Sequence, residues 1–516
     1  MFSYVHSGTF FGVRSFIVEI ETDASNGLPG FEMVGLLGSE VREAKERVKV
    51  ALKNNGFILP PLKITINLSP ANIRKSGTYF DLPIAISLLI ALGEIKQEST
   101  KGILMLGELG LDGELRFVNG VLPIAIEAKE KGFDTIIVPL CNSKEAAAVD
   151  GIKVYGFENI LEVMRFLNLD ENERNEEYSQ VKVDLNKLFE NDRYKYEYDF
   201  SEVTGQKELK RAAVIAAAGF HHMLMIGPPG SGKTMIAKRI PTILPPLSYE
   251  ESLEVSKIYS VSGEIGEYES LIVRRPFNSP HHTISEQALA GGGSVPKPGL
   301  VSLSHRGVLF LDEAVHFNKT ALEVLRQPME DKKVEICRSL GKFEFPSDFM
   351  LVAAINPCPC GFFPDRNRCR CSENQIRNYL NKISGPILDR IDLCVQASKI
   401  EYGDLSANSK TDNESSESMR EKIMVAREIQ EERFKGTNKR FNSEMSPSDI
   451  QKYCTLSPID EAYLEKAFRQ MNLSARSYHK ILRISRTIAD LDNSENIMKK
   501  HLAEALNFRM TQELYW

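Results

Sequence analysis

Residues Gly227 to Thr234 read G-P-P-G-S-G-K-T, and Gly307 to Glu313 read G-V-L-F-L-D-E. Together they constrain the chain more than any other feature, because each supplies what the other lacks for hydrolysing a nucleoside triphosphate. In the first, Gly227, Pro228, Pro229, Gly230, Ser231 and Gly232 form a turn whose backbone N–H groups can wrap phosphate oxygens. Lys233 can then reach the β- and γ-phosphates, and the Thr234 hydroxyl can ligate Mg²⁺. The context agrees: Met223 to Ile226 is a short apolar run that predicts a buried strand. Lys233 to Ile240 predicts a helix with its N-terminus facing the phosphates. In the second segment Val308 to Leu311 predicts another buried strand. Asp312 at its end can hold the Mg²⁺ water shell, and Glu313 can orient and deprotonate the attacking water.

With 516 residues the chain has room for about three domains. A net charge of −6 advertises no global basic field, so any nucleic-acid contact must come from local patches or from a ring that concentrates them. Eight cysteines without a secretory start suit a reducing compartment. Met1 to Val13 lacks the pattern of a signal peptide, and the apolar stretch Leu82 to Leu92 contains Pro83 and is too short to span a bilayer. The expectation is a cytoplasmic protein with no membrane contact.

Composition divides the chain into an N-terminal domain (1–168), an acidic then Tyr-rich linker (169–198), a nucleotide-binding core (199–403), a polar mobile loop (404–418) and a helical C-terminal segment (419–516). Ser39 is placed to cap a helix running to about Asn55, with Val41, Ala44, Val48, Ala51 and Leu52 on one face. Lys63 to Leu68 alternates and predicts a half-buried strand.

The stretches L-P-G-F-E-M-V-G-L, N-L-S-P-A-N-I-R-K-S-G-T-Y-F-D-L-P and G-E-L-G-L-D-G-E-L-R-F-V-N-G resemble the N-terminal domain of the ComM/YifB family. That domain is similar to the proteolytic domain of Lon, which needs a nucleophilic Ser and a Lys base. By this resemblance the Ser position falls near Tyr79 and the Lys position near Leu122, and neither can do the chemistry. Ser76 and Lys75 lie close by, but neighbours in an extended segment point to opposite faces. Arg74 and Lys75 could meet phosphate or stand on a solvated loop end.

The text from Phe200 through the P-loop resembles the same family, a branch of AAA+ ATPases related to magnesium-chelatase motors and minichromosome-maintenance helicases. The fold class implied is α/β: an AAA+ P-loop core with a helical C-terminal lid, preceded by an α+β Lon protease-like domain lacking the Ser-Lys dyad. Between Thr234 and Asp312 lies a Gly/Pro-rich insertion, in which His281 and His282 suit hydrogen bonding within the loop or to phosphate better than metal ligation. Val334 to Arg338 and Lys342 to Phe345 read as a β-hairpin. In this branch such a hairpin faces a central pore, which makes Arg338 and Lys342 candidate DNA contacts.

Phe349 to Ile355 predicts a buried strand ending at Asn356, whose amide can orient the lytic water as the family's first sensor does. Cys358-Pro-Cys360 and Cys369-Arg-Cys371 follow at once, two tight thiol pairs that suggest structural, tetrahedral Zn²⁺. By resemblance, Arg390 in L-D-R-I-D is an arginine finger for a neighbouring subunit's γ-phosphate. Arg476 in L-S-A-R-S-Y-H-K is likewise a second sensor on the nucleotide. Tyr478, Ile481, Leu482, Ile488 and Leu491 fit the buried face of that helix, leaving Arg483 and Arg486 for its outer surface.

These readings imply a homohexameric, Mg²⁺-dependent ATPase motor on single-stranded or branched DNA. It would act as a helicase or branch-migration enzyme in homologous recombination and natural transformation, with recombination proteins as partners. The alternative is a metal-chelatase-type motor subunit that remodels a protein partner. A non-catalytic scaffold is disfavoured by the complete nucleotide set.

Overall fold

The computed structural model describes residues 1–192, 194–338, 341–398 and 413–516. The ATPase core is a five-stranded sheet of Phe277–Asn278, Val308–Leu311, Met350–Ile355, Met223–Ile226 and Leu393–Gln396, in that spatial order and parallel throughout. The three central strands are continuous apolar runs buried along their whole length, as strands covered on both faces must be. Parallel registry brings their carboxyl ends to one edge: Ile226 lies opposite Ile355, and Leu311 opposite Ala353. The loop after Ile226 and the acidic pair after Leu311 therefore meet at that edge.

The N-terminal domain is built on a seven-stranded mixed sheet whose long first hairpin, Phe2–Phe11 with Arg14–Ser25, occupies its middle. The helix Ser39–Asn54 buries the five residues predicted, but Gly38 is its cap and Ser39 its first helical residue, with no side-chain cap bond. The apolar stretch near Leu82 is a core helix, Asp81–Ala91, buried at every position. No helix among the described residues is long and apolar enough to cross a membrane.

Residues 169–198 carry two short helices, Glu171–Glu177 and Leu185–Asp192. Tyr178, Val181, Leu185 and Leu188 pack along the N-terminal core. Of the polar stretch 404–418, residues 404–412 lie outside the described residues, and a helix, Ser416–Arg433, already begins within it under a Ser415 cap. The remaining C-terminal helices are Pro447–Tyr453, Pro458–Gln470, Ala475–Leu491 and Lys499–Tyr515. The first three start at Ser446, Ser457 and Ser474, each accepting a backbone N–H through its hydroxyl.

One surface expectation is overturned here. Arg486 is buried at 4% exposure rather than on the outer face, and Arg483 is only partly exposed, with a guanidinium that donates to the Met445 carbonyl. Arg486 is inside because Asp490 is fully buried and collects Arg486 Nε at 3.0 Å, two bonds from Arg433 at 2.6 Å and the Asn442 amide at 2.8 Å. A helical-wheel reading pairs Arg486 with Asp490 one turn on but assigns both outward, because it cannot see Arg433 and Asn442 enclosing that carboxylate from outside the helix. Removing one partner from such a buried cluster strands the others. Asp490→Ala should therefore destabilise the chain by about 3–5 kcal/mol in denaturant unfolding, with a lowered midpoint.

Candidate nucleotide site and its neighbours

At the carboxyl edge of the core sheet the P-loop and acidic pair enclose a cleft of about 420 Å³, lined by Pro229–Met235, Asp312, Glu313 and Ala354–Asn356. The loop is tied to the sheet by the Gly227 N–H, which donates to the Ile355 carbonyl at 3.2 Å. Its last turn enters the helix Lys233–Ile243 through Gly232 at φ +84, a left-handed conformation that an L side chain would strain. Thr234 Oγ1 donates to Asp312 Oδ2 at 2.7 Å, so the two expected Mg²⁺ groups are already joined. Glu313 sits at φ +49, off the strand direction, and its exposed side chain leaves the sheet toward the cleft. Asn356 contributes Oδ1 at 3.4 Å from Lys233 Nζ, so the groups expected for phosphate binding, metal and water activation line one cleft.

Lys233 is only 8% exposed and curls back to donate to the carbonyls of Gly227 at 2.7 Å and Pro228 at 2.9 Å. Burial pushes its ammonium down to about 8, against the opposing pull of Asp312 and Glu313.

The cysteines follow directly from the sensor strand. The four sulfurs of Cys358, Cys360, Cys369 and Cys371 lie within 4.8 Å of one another. Three of the separations are 3.3, 3.7 and 3.6 Å. A tetrahedron with metal–sulfur bonds of about 2.3 Å has edges of about 3.8 Å, so the nest fits Zn²⁺ with four thiolates and no open position. This loop also leans on the P-loop: a Cβ on Gly361 would come within 2.5 Å of Pro229 Cδ. Behind it, Tyr515 of the last helix shares a core with Cys358 and Cys369. Nothing in the spacing of the cysteines announces either contact.

Arg390 and Arg476 do not line this cleft. They converge elsewhere on one carboxylate, Glu330: Arg390 at 2.7 Å, and Arg476 in an equally direct ion pair. The lid helix Ala475–Leu491 carries Arg476, expected on a nucleotide, to the same face as Arg390. That face borders a second cavity of about 610 Å³, whose walls include Arg390, Arg476, Lys480, Arg483 and Asp348.

The hairpin forms as expected, Lys333–Arg338 against Gly341–Pro346, with Leu340 outside the described residues. Its register corrects the pairing of Arg338 with Lys342. Arg338 lies opposite Gly341 and Lys342 opposite Cys337, which puts the two side chains on opposite faces. Both are exposed, but Lys342 is matched by Glu335 at 2.8 Å, on a face where Lys333 also pairs with Glu335 and Glu344. Arg338 reaches the Gly293 carbonyl of the insertion. His281 bonds to Thr283 within its own loop at 2.9 Å, as hydrogen bonding within the loop requires.

In the N-terminal domain Tyr79 is buried with its hydroxyl 2.9 Å from Thr9 Oγ1, and Leu122 is fully buried. Lys75 is buried too, its ammonium held by the Pro70 carbonyl, which removes it as a phosphate contact.

Comparison with known proteins accounts for the whole arrangement. Three family models match in series: subunit ChlI of Mg-chelatase over residues 20–142, magnesium chelatase subunit ChlI over 199–405, and the ChlI C-terminal region over 413–509. The chain is 42% identical to competence protein ComM of Haemophilus influenzae, over 98% of this chain and 97% of that one. The chain belongs to the ComM/YifB family of magnesium-chelatase-like AAA+ proteins. YifB of Escherichia coli is 40% identical over 99% of this chain and 98% of its own. Lon protease 2 of Bacillus subtilis is 26% identical over 34% of this chain and 35% of its own. An AAA+ core and helical C-terminal region follow a Lon-like N-terminal domain.

The lowered Lys233 sets a pH dependence. Only the ammonium form pairs with phosphate, so ATP affinity should hold up to about pH 8 and weaken as pH rises further, until the value Lys233 takes in the complex is passed. Titrating nucleotide binding between about pH 7 and pH 9.5 checks this; a flat profile would assign the phosphate charge to another group.

Proposed function

We propose that this chain is an ATP-driven ring motor acting on DNA, with branched recombination intermediates as substrate. The observation that carries the reading is the division of the nucleotide machinery between two faces. Lys233, Thr234, Asp312, Glu313 and Asn356 share a cleft, while Arg390 and Arg476 are presented together outside it. Among the described residues no arginine lines that cleft, so a second copy supplies the transition-state charge. Repetition of that contact closes a ring, for which we infer a homohexamer. Both arginines then act on the neighbour's ATP, and Thr234 and Asp312 would hold the Mg²⁺ that offsets phosphate charge.

The whole-length likeness to a competence protein supports DNA as the track, as does the exposed Arg338 on the hairpin. A ring multiplies such single charges into a basic channel that a mildly acidic chain otherwise lacks. Recombination proteins are the partners this substrate implies. Lys233→Ala should lose ATP binding. Glu313→Gln should retain it while turnover falls by about 10² or more, the usual contribution of a general base. Release of labelled strands from forked and four-way DNA should require ATP, weaken steeply with salt and fail in Glu313→Gln. A ring that binds ATP but no DNA would overturn the motor reading in favour of a chelatase-type motor on a protein partner.

We also propose that the four-cysteine nest holds a structural zinc whose loop braces Pro229 of the P-loop. Elemental analysis of protein purified without added metal should give about one zinc per chain, lost in Cys358→Ser/Cys369→Ser. Zinc retained in that double variant would place the metal elsewhere.

A further inference from the structure

Arg390 and Arg476 come from different elements: the turn after the short helix Gly385–Leu388, and the first turn of the lid helix Ala475–Leu491. Two guanidinium groups brought side by side repel unless an anion lies between them. Among the described residues Glu330 is the one carboxylate within ion-pair distance of either. It is 44% exposed, so both bonds face the surface. Arg390 is held more firmly, at 9% side-chain exposure, with a second bond to the Pro386 carbonyl at 2.6 Å. Its Nε is buried with no partner, so the group depends on Glu330 for its ionic contact. Donation from Arg390 and then Arg476 keeps the Glu330 carboxyl below its ordinary range, hence ionised at neutral pH.

Glu330 belongs to the short helix Arg326–Asp331, where Arg326, Gln327 and Asp331 are exposed as it is. It stands next to the hairpin, with only Asp331 and Lys332 intervening before Lys333. The lid is clamped onto the same turn from behind: Lys480 donates to the Ile391 carbonyl at 2.7 Å and lies 3.9 Å from Asp392. The arginine turn, lid helix and hairpin helix therefore meet at one carboxylate.

From this convergence we propose that Glu330 is a positioning residue for phosphoryl transfer in the neighbouring subunit, holding Arg390 and Arg476 as one preformed two-guanidinium clamp for its γ-phosphate. This rests on the ring reading above. Glu330 acts through the two arginines and not on the nucleotide itself. Its carboxylate offsets one of the two positive charges and fixes the spacing, leaving net positive charge for the incoming phosphate. With a neutral acceptor the two groups splay, and the clamp must be reassembled at each turnover.

The test is Glu330→Gln beside Glu330→Asp in the full chain. Glu330→Gln should lower kcat for ATP by about tenfold or more, the scale of a lost charge-assisted hydrogen bond, with KM, assembly and thermal midpoint unchanged. Glu330→Asp, which keeps the charge on a shorter stem, should recover a substantial part of that loss. Mixing Glu330→Gln with Lys233→Ala subunits should restore activity, because the Lys233→Ala subunit offers an intact clamp to the working P-loop of the other. Unchanged kcat in Glu330→Gln, or a loss that tracks melting or dissociation, overturns the inference. Mixing Arg390→Ala with Lys233→Ala separates the two ideas. If this pair also fails to complement although both variants assemble, the trans reading falls, whereas failure of the Glu330 pair alone falls on Glu330.

Discussion

The hydrogen bond from Thr234 to Asp312 joins residues 78 positions apart and depends on almost everything else in the core. It exists because Met223–Ile226 and Val308–Leu311 both flank Met350–Ile355 in parallel and end within two residues of each other at one edge. Parallel pairing of this kind needs crossover segments and complete burial of the strands. Those requirements explain the apolar runs, the helix Lys233–Ile243 on one side and the long excursion before Asp312 on the other. Mg²⁺ chemistry is available at this edge because the sheet holds a hydroxyl and a carboxylate 2.7 Å apart.

That excursion also ties the domains together. The helix Tyr249–Ser262 lies within it, and its Tyr249 hydroxyl donates to the Ala148 carbonyl of the N-terminal domain at 2.9 Å. At its far end Ser260 bonds to Glu145, a fully buried carboxyl whose affinity for its proton is raised by burial. On its other side Glu251 collects Arg275 of the core at 3.1 Å and Arg440 of the C-terminal region at 2.8 Å. One helix thus touches all three domains through polar contacts, which are directional and break when geometry shifts. A second contact, Phe11 stacked on Phe343 at 3.7 Å, joins the first N-terminal hairpin to the hairpin that carries Arg338. The N-terminal domain is packed into the core further by Leu271 and Val273, which are buried in its own apolar cluster.

The charged groups divide by whether a short motif places them. Lys233, Thr234, Asp312, Glu313 and Asn356 were legible because each sits at the end of an apolar strand or the start of a helix, and strand ends gather at one edge. The Cys nest was legible as two close pairs. Arg486 and Lys75 were misplaced because each is held inside by a group whose burial the sequence does not show: the Asp490 carboxylate, enclosed with Arg433 and Asn442, and the Pro70 carbonyl. Hairpin register, which separates Arg338 from Lys342, is set by pairing across the turn and not by counting basic residues.

The amino-acid sequence alone determined the nucleotide-binding motifs, the strands and helices that frame them, and the paired cysteines, since these reside in short contiguous motifs whose backbone geometry is local. The tertiary structure decided which charges meet. It put Arg390 and Arg476 on Glu330, away from their own chain's cleft, and leaned the cysteine loop on Pro229. Such pairings join elements far apart along the chain, and only packing brings them within the few ångströms over which a charge or a hydrogen bond acts.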